Sequence, residues 1–334
     1  MKRIGVFLGC FFITAYLLPQ DVVKNGRVPL NPDGGRVLNI EEVLRIPGEG
    51  DGYFFSSAAR FDIDGKGNIY IGDFYMTGRP IHFLKFAADG AFIKDLYKQG
   101  EGPGEISSFF EFALGEDIIF VYDGNRQKLM KWTLEGELIK EDKLESGRLS
   151  EVLGLYNGQL VVVRDEYPVE RNKNKLYDIG HPVILLETEG LTSKTVHQWS
   201  HKIFLIATKF GGGMMVWAPK ILTMMGNKIA ACTTCEYLVE VYDLEKEKII
   251  VRFNRRYPRL KYKMPDRMKE FIKKYNAPKR KYENDIKNLH LNDDFIWVET
   301  STIDEEKGKL FDLFDFEGLP IIVKYRIRKV AGMN

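Results

Sequence analysis

The chain has 334 residues, of which 44% are hydrophobic and 13% aromatic, and its formal net charge is +2. This composition excludes a chain that is disordered throughout and supports a sizeable core in one large domain or two ordinary ones. The balanced total charge indicates no particular class of partner until it is mapped along the chain.

The first twenty residues, MKRIGVFLGCFFITAYLLPQ, are typical of an export signal. Lys2 and Arg3 precede an uncharged, mostly apolar run over residues 4–18. This run is short for a membrane-spanning helix and suits the apolar region of a signal peptide, although no clean cleavage site follows. We predict a signal peptide or N-terminal anchor over 1–20 and a linker over 21–35. The protein should be exported to the periplasm, the cell surface or the medium.

From residue 61 onward, short strand-like runs alternate with turn residues such as DGKGN and AADG, which favour tight hairpins. Similar units follow, and one hairpin turn in each unit is marked by Gly90, Gly136, Gly190, Lys246 and Gly318. Their spacings of 46, 54, 56 and 72 residues are typical of four-stranded propeller blades, the last one lengthened by an insertion.

We therefore predict an all-β fold, a β-propeller over residues 36–330 with six blades of four antiparallel strands. Five repeats are readable, and segment 27–50 with the C-terminal YRIRKV is expected to complete the sixth. A five-bladed ring is the alternative. Asp73, Asp123 and Asp165 recur at a strand end, where a carboxylate can bond the backbone in a structural role.

The glycine-rich stretch QGEGPGE, residues 99–105, is predicted to connect two blades. A phosphate-binding loop should lead directly into a helix, whereas ISSFFEFAL follows here and is typical of a strand.

The repeats resemble the NHL-repeat family and related bacterial six-bladed propellers. GNIYIGD and RPIHFLKFAADGAFIKDLYKQGEGPGEI follow the NHL pattern closely, IIFVYDGNRQKLMKW follows it less closely, and the resemblance covers residues 36–328. It implies the propeller fold but no single activity, because such families include lyases, hydrolases, scaffolds and nucleic-acid binders.

Propellers usually bind ligands at the channel mouth, on the face that carries the connections between second and third strands. A ligand rim suited to carboxylates or sugars is predicted there from Tyr75, Arg79, Arg126, Arg164 and Arg171. The alternative for each arginine is a cross-link between blades.

No nucleophile elbow, HExxH motif or P-loop is present, and the five histidines share no repeat position. We therefore predict no catalytic residue, metal ligand or cofactor. The expected function is a monomeric binding or scaffolding module for an unknown protein, peptide or glycan. The alternative is a metal-dependent propeller enzyme, similar to a lactonase or lyase, in the same compartment.

Cys232 and Cys235 form a CTTC pair between two strand-like runs. In an exported protein, this pattern favours a local disulfide or two packed thiols over a redox or zinc site.

An insertion at 255–286 is strongly basic: its segment 255–281 holds twelve basic and two acidic residues, a net +10 that leaves −8 for the rest. Pro265 should begin a short helix near 265–276 whose apolar stripe docks on the propeller. The exposed side chains would then be Arg267, Lys269, Lys273 and Lys274. These charges either keep the surface soluble or contact anionic lipid or acidic polysaccharide, since export argues against nucleic acid.

Overall fold

The computed structural model describes residues 22–26, 42–56, 60–73, 81–107, 110–145, 147–167, 174–208, 211–304 and 308–326. For residues 207–208, 211–218, 304, 308 and 322–326, only the backbone is described. Within these ranges no helix is both long and apolar enough to span a membrane.

The N-terminal part of the described chain contains three short strands, which are β1 (Val23–Asn25), β2 (Glu49–Gly50) and β3 (Tyr53–Phe54). The first two blades follow. Blade I contains β4 (Arg60–Ile63), β5 (Ile69–Asp73), β6 (His82–Phe86) and β7 (Phe92–Asp95). Blade II contains β8 (Phe110–Leu114), β9 (Ile118–Asp123), β10 (Lys128–Thr133) and β11 (Leu138–Lys143).

The remaining blades carry the irregular features of the fold. Blade III contains β12 (Glu151–Tyr156), β13 (Gln159–Val163), β14 (Lys175–Leu186), β15 (Ser193–Thr208) and β16 (Gly211–Ala218). Blade IV contains β17 (Lys220–Met225), β18 (Lys228–Thr233), β19 (Leu238–Asp243) and β20 (Lys248–Arg255). After helix α1 (Asp266–Tyr275), blade V contains β21 (Ile286–Leu291), β22 (Ile296–Asp304), β23 (Gly308–Phe314) and β24 (Pro320–Arg326).

The strands of each blade pair antiparallel in chain order, as predicted for a propeller. The first strands touch one another in sequence, β4 to β8, β8 to β12, β12 to β17 and β17 to β21. They therefore form the inner ring, and the later strands of each blade lie progressively outward.

The hydrophobic core lies between neighbouring blades. The middle strands are nearly continuous apolar runs, such as IIFVY in β9 and QLVVV in β13, because both faces of each sheet are covered. The representative pairs that fill successive interfaces are Phe83 with Phe112, Tyr122 with Leu160, Trp199 with Tyr242, and Phe253 with Phe314.

The repeat turns differ in length between blades. Gly90, Gly136 and Gly318 have φ of 86°, 75° and 78°, a backbone conformation that favours glycine. In blades III and IV the turn is one residue longer, and the positive φ falls on Leu191 and Glu247 instead of Gly190 and Lys246. The longer turn explains why the glycine signal fades in these repeats.

Two of the three recurring strand-end aspartates have the structural role predicted for them. Asp73 accepts a hydrogen bond from the backbone N–H of Ser56 at 2.7 Å, and Asp123 accepts one from Ser107 at the same distance. Each bond ties the connection entering a blade to the end of that blade's second strand. The stretch 99–105 is likewise a connector, because it leads into strand β8 and not into a helix.

The predicted helix is confirmed within the insertion. Pro265 precedes α1, and Asn276 ends it with φ of 50°. Ile272 is buried, and Met268 and Phe271 pack with it against Phe204 of β15. The apolar stripe is therefore docked on the outer part of the β14–β15 hairpin.

Three expectations about the chain ends need correction or lie outside the described residues. Residues 21–35 were expected to form a linker, but β1 adds a parallel fifth strand to blade IV beside Phe253–Arg255. Tyr325 was expected in a sixth blade, but it pairs with Phe311 in the outer strand of blade V. The described residues form five blades, and residues 27–41 of the expected sixth lie outside them.

Candidate functional site

One face of the propeller, here called the upper face, collects charged side chains from several blades. It is the end where each first strand begins, each second strand ends, and the chain crosses to the next blade. The extended part of the β14–β15 hairpin and the insertion with α1 both leave the blades at this face. Side chains at the start of inner strands therefore lie at the mouth of the central channel.

Arg60, Glu111 and Glu151 occupy the starts of three successive inner strands. A guanidinium nitrogen of Arg60 lies 3.2 Å from a carboxylate oxygen of Glu111, and another donates to the Leu153 carbonyl at 3.2 Å. Burial raises the pKa of Glu111 to about 7 despite Arg60. Burial and the neighbouring charge of Glu111 raise the pKa of Glu151 to about 7. Each of the two carboxyl groups therefore gains or loses its proton near neutral pH.

The alternating direction of side chains along β8 explains how an acidic residue is accommodated in this apolar inner strand. Phe110 and Phe112 point into the core between blades I and II, so the intervening Glu111 points toward blade III, where β12 begins.

A second group of polar side chains lies at the end of β13 and the base of the extended hairpin. Asp165 lies 2.8 Å from Nδ1 of the buried His181, whose Nε2 is hydrogen-bonded to Nδ1 of His201. The two imidazole rings stack at a centroid distance of 4.4 Å. The two ring nitrogens of His181 therefore contact a carboxylate on one side and a second imidazole on the other.

The titration of these groups follows from their surroundings. Burial opposes the charge of Asp165, but hydrogen bonds from His181, Ser150 and Tyr167 outweigh it and lower the pKa of the carboxyl group. Burial, with the charge of His181, lowers the pKa of His201 to about 4. His201 is therefore neutral at pH 7 and can act as a hydrogen-bond donor and acceptor.

Lys220, the first residue of β17, extends this group toward blade IV. Its ammonium lies 5.5 Å from the ring centroid of Trp199, and burial lowers its pKa to about 8 despite the nearby carboxylate of Glu240. Glu240 is held by the indole N–H of Trp199 at 2.9 Å and by Arg252 at 2.6 Å. The charge of Lys220 also acts on His201.

We call these linked side chains of the upper face the mouth cluster. Its members are Arg60, Glu111, Glu151, Asp165, His181, His201 and Lys220. Such perturbed groups are characteristic of binding and catalytic sites, although ion-pair networks of purely structural importance also produce them.

The predicted arginine rim is only partly described. Tyr75, Arg79 and Arg171 lie outside the described residues. Arg126 forms an ion pair with Glu101 of the blade connector and so acts as a clamp between blades. Arg164 is half-buried immediately before Asp165, and its Nε is buried with no hydrogen-bond partner among the described groups.

Sequence reasoning missed most of the mouth cluster. Glu111 and Glu151 could have been noticed as single acids that open otherwise apolar inner strands. The contact between His181 and His201 depends on the register of β14 and β15, which pairs Ile179 with His201. That register has no local sequence signal.

Of the two alternatives for the cysteine pair, a local disulfide or two thiols, the structure has two free thiols at Cys232 and Cys235. Cys232 lies buried on β18 within the core shared with blade V, whereas Cys235 lies in the turn that follows. Burial raises the pKa of Cys232 to about 12, so its thiol is protonated and unreactive at neutral pH.

The predicted basic side chains of α1, namely Arg267, Lys269, Lys273 and Lys274, are all exposed. Lys269 pairs with Asp266 at 2.8 Å, which leaves the other three without a carboxylate within 4 Å among the described residues. Over the same part of the chain, no group of three or more His, Cys, Asp or Glu side chains is arranged to hold a metal ion.

Comparisons with known proteins agree with the fold. Among solved structures, the chain is similar to a Bacteroides fragilis NCTC 9343 protein named "Putative exported protein", with 14% identity, a TM-score of 0.53, and coverage of 88% of this chain and 77% of that one. It is also similar to a DUF4221 family member from Bacteroides vulgatus ATCC 8482, with 13% identity, a TM-score of 0.51, and coverage of 86% of each chain. No curated protein matches the sequence. Residues 65–300 match the sequence profile of DUF5128, described as "6-bladed beta-propeller", and the chain therefore belongs to this family of six-bladed β-propellers.

Proposed function

We propose that this protein is an extracytoplasmic, NHL-like β-propeller that binds a polar glycan or peptide at the mouth cluster and acts as a binding or scaffolding module. The observation that carries the proposal is the convergence of titratable side chains from four blades on the upper face. A purely structural propeller interface would be expected to bury apolar side chains there, because unpaired charges are costly to bury.

The mouth cluster offers complementary hydrogen-bonding groups. Arg60 and Lys220 are donors, whereas Glu111 and Glu151 can each donate or accept because both titrate near pH 7. Sugar hydroxyls and peptide groups need such mixed partners. A polyanion would instead be repelled by the carboxylates.

Two further observations support an exported location. The N-terminal run over residues 4–18 follows Lys2 and Arg3, the pattern of an export signal. A protein of the same fold is named as an exported protein. The expectations of a monomer and of no nucleic-acid partner stay predictions.

The test is a thermal-shift screen of the full chain against a panel of oligosaccharides and a panel of short peptides. Affinity for the most stabilising compound is then measured with Lys220→Met and Glu151→Gln. We expect both variants to bind at least tenfold more weakly than the wild type. The control Lys246→Gln, on the opposite face, should bind as the wild type does. Equal affinities of all three variants would overturn the proposal.

A metal-dependent enzyme is the second candidate. It is favoured by one observation: the Asp165–His181–His201 chain and two carboxyl groups with pKa near 7 are suited to acid–base chemistry. The melting temperature with calcium or zinc, and then with chelator, distinguishes the candidates. Metal at a hundredfold above its dissociation constant would stabilise the folded state by about 2.7 kcal/mol. No shift with either metal would count against the enzyme.

A further inference from the structure

The insertion presents a cationic surface separate from the mouth cluster. Of its twelve basic residues, Arg255, Arg259, Lys269 and Arg280 make ion pairs or hydrogen bonds within the protein. The others are exposed and have no carboxylate within 4 Å among the described residues. We call these eight residues the basic platform: Arg256, Lys261, Lys263, Arg267, Lys273, Lys274, Lys279 and Lys281.

Backbone hydrogen bonds bring together platform residues from the two ends of the insertion. Lys261 forms an antiparallel bridge with Tyr282, and the N–H of Tyr262 donates to the carbonyl of Lys281 at 3.1 Å. The two arms of the insertion therefore run side by side. This arrangement brings Lys261 and Lys281 close together although twenty residues separate them in the sequence.

The docking of α1 fixes which side of the insertion faces outward. Ile272 and Ala277 are buried against Phe204 and Ile206 of the β15 strand. Lys273 and Lys274, at the end of the helix, are exposed. A helix of ten residues would not persist in water without such packing, so the hairpin holds the cations in place.

Exposed apolar and aromatic side chains lie among the cations. Leu260 and Tyr282 are 38% and 39% exposed, and Tyr262 and Tyr275 are half-buried beside them. Side chains of this type are suited to the interface between lipid headgroups and acyl chains, where an apolar body and a polar tip are both accommodated.

Strand β1 follows the N-terminal apolar run in the sequence and lies at the base of the platform, beside the last residues of β20. The run ends at residue 18, and β1 begins at Val23, paired with the last residues of β20. Val22, Arg256 and Arg259 line one cavity of about 610 Å³. A membrane that held the apolar run would therefore lie beside the platform.

We propose that the basic platform binds the surface of an anionic phospholipid bilayer. Lysine and arginine near such a surface contribute about 1 kcal/mol each at physiological salt, and the attraction is screened by added salt. An apolar segment and a basic patch together give firmer membrane attachment than either signal alone. The platform acts independently of any ligand at the mouth cluster.

The experiment is co-sedimentation of the full chain with two kinds of vesicle, phosphatidylcholine alone and phosphatidylcholine with 30% phosphatidylglycerol. We expect at least tenfold tighter binding to the anionic vesicles at 50 mM salt and loss of that preference at 500 mM. The apolar run is present in every sample, so its own contribution cancels in the comparison.

The platform variant replaces Arg267, Lys273, Lys274 and Lys279 with glutamine, and it should lose at least tenfold of the anionic preference. Its matched control replaces Lys66, Lys194, Lys246 and Lys248, exposed lysines of the opposite face, and should keep the preference. In a third variant, the same platform lysines become arginine, which preserves charge and should preserve binding. Circular dichroism and melting temperature establish that each variant is folded.

Undiminished binding by the folded platform variant would overturn the proposal, as would a preference unaffected by salt. Salt-sensitive binding to an acidic polysaccharide such as heparin, without any preference for anionic vesicles, would also overturn it and assign the platform to glycans.

Discussion

Glu151 begins an inner strand, and its carboxyl group lies beside that of Glu111 with no hydrogen bond of its own among the described groups. Two acids in one poorly solvated site cannot both ionise freely, so the second charge forms only at higher pH. The carboxyl group of Glu151 therefore lowers the free energy of unfolding, a cost that is common where side chains are arranged for binding. Substituting Glu151 therefore measures the electrostatic cost of placing two acidic groups together in the mouth cluster.

Glu151→Gln should stabilise the protein at pH 8 and change it little at pH 4. The pKa of Glu151 is raised to about 7 in the folded protein. The folded state therefore keeps a proton that the unfolded chain releases, and stability is lost as pH rises from the ordinary value toward 7. We expect a gain of about 1 to 2 kcal/mol at pH 8, less than the full shift because the Glu151 side chain is only half-buried.

Urea denaturation at both pH values measures this effect, with Glu145→Gln as the control in the exposed connection before β12. If Glu151→Gln is no more stable than wild type at pH 8, the carboxyl group is not under the strain described.

Asp312 joins blades IV and V through a buried ion pair. It contacts the guanidinium of Arg255 and accepts a hydrogen bond from the hydroxyl of Tyr237 at 2.7 Å, and both charged side chains are 1% exposed. Asp312→Asn should cost about 3–5 kcal/mol, because it leaves a buried cation without its counter-charge.

Chemical denaturation measures this cost. The control is Glu247→Gln, which breaks the exposed pair with Lys194 and should cost less than about 1 kcal/mol. Similar costs for the two variants would show that the buried pair does not hold the blades together.

At the scale of elements, the extended hairpin and α1 depend on each other. The hairpin supplies Phe204 and Ile206, and the helix supplies Ile272 and Ala277. The helix was predictable from Pro265 and the spacing of Met268, Phe271 and Ile272. Its docking site was not, because β14 and β15 continue well past the four residues of β14 that pair with β13, and nothing local in the sequence marks that extension.

Ile272→Ala should loosen α1 without unfolding the blades. Truncating a buried isoleucine costs about 2 kcal/mol or more, and so short a helix does not persist without packing. Hydrogen exchange of residues 266–275 should speed up at least tenfold, whereas exchange in β9 and β13 should not change. Lys273→Ala, on the exposed side of the helix, is the matched control. Unchanged exchange in α1 would contradict the docking.

At the scale of the whole molecule, much of the architecture was predictable because each blade is a local unit. Turn glycines at Gly90, Gly136 and Gly318 and the strand-end aspartates reported the repeat directly. The fifth strand of blade IV was not predictable, since β1 pairs with residues more than two hundred positions away. The mouth cluster was missed for the same reason, because its members come together only when successive blades are placed around one axis.

The number of blades in the described residues differs from the number in the description of the family. The family is described as six-bladed, and the described residues form five blades. Phe61 and Ile63 of β4 are 67% and 54% exposed, which is unusual for apolar side chains on an inner strand. Ile46, Tyr53 and Phe55 cover the middle strands on this side of blade I, and the exposed inner strand is where we expect a sixth blade to pack.

The most direct test of ligand binding at the mouth cluster is hydrogen exchange with and without the most stabilising compound from the glycan and peptide panels. We predict slower exchange in upper-face segments, namely residues 104–107, 110–111, 148–154 and 164–167. No change is expected in the lower turns at 64–68, 133–137 and 243–248. Protection confined to the lower turns, or to the insertion alone, would contradict a binding site at the mouth cluster.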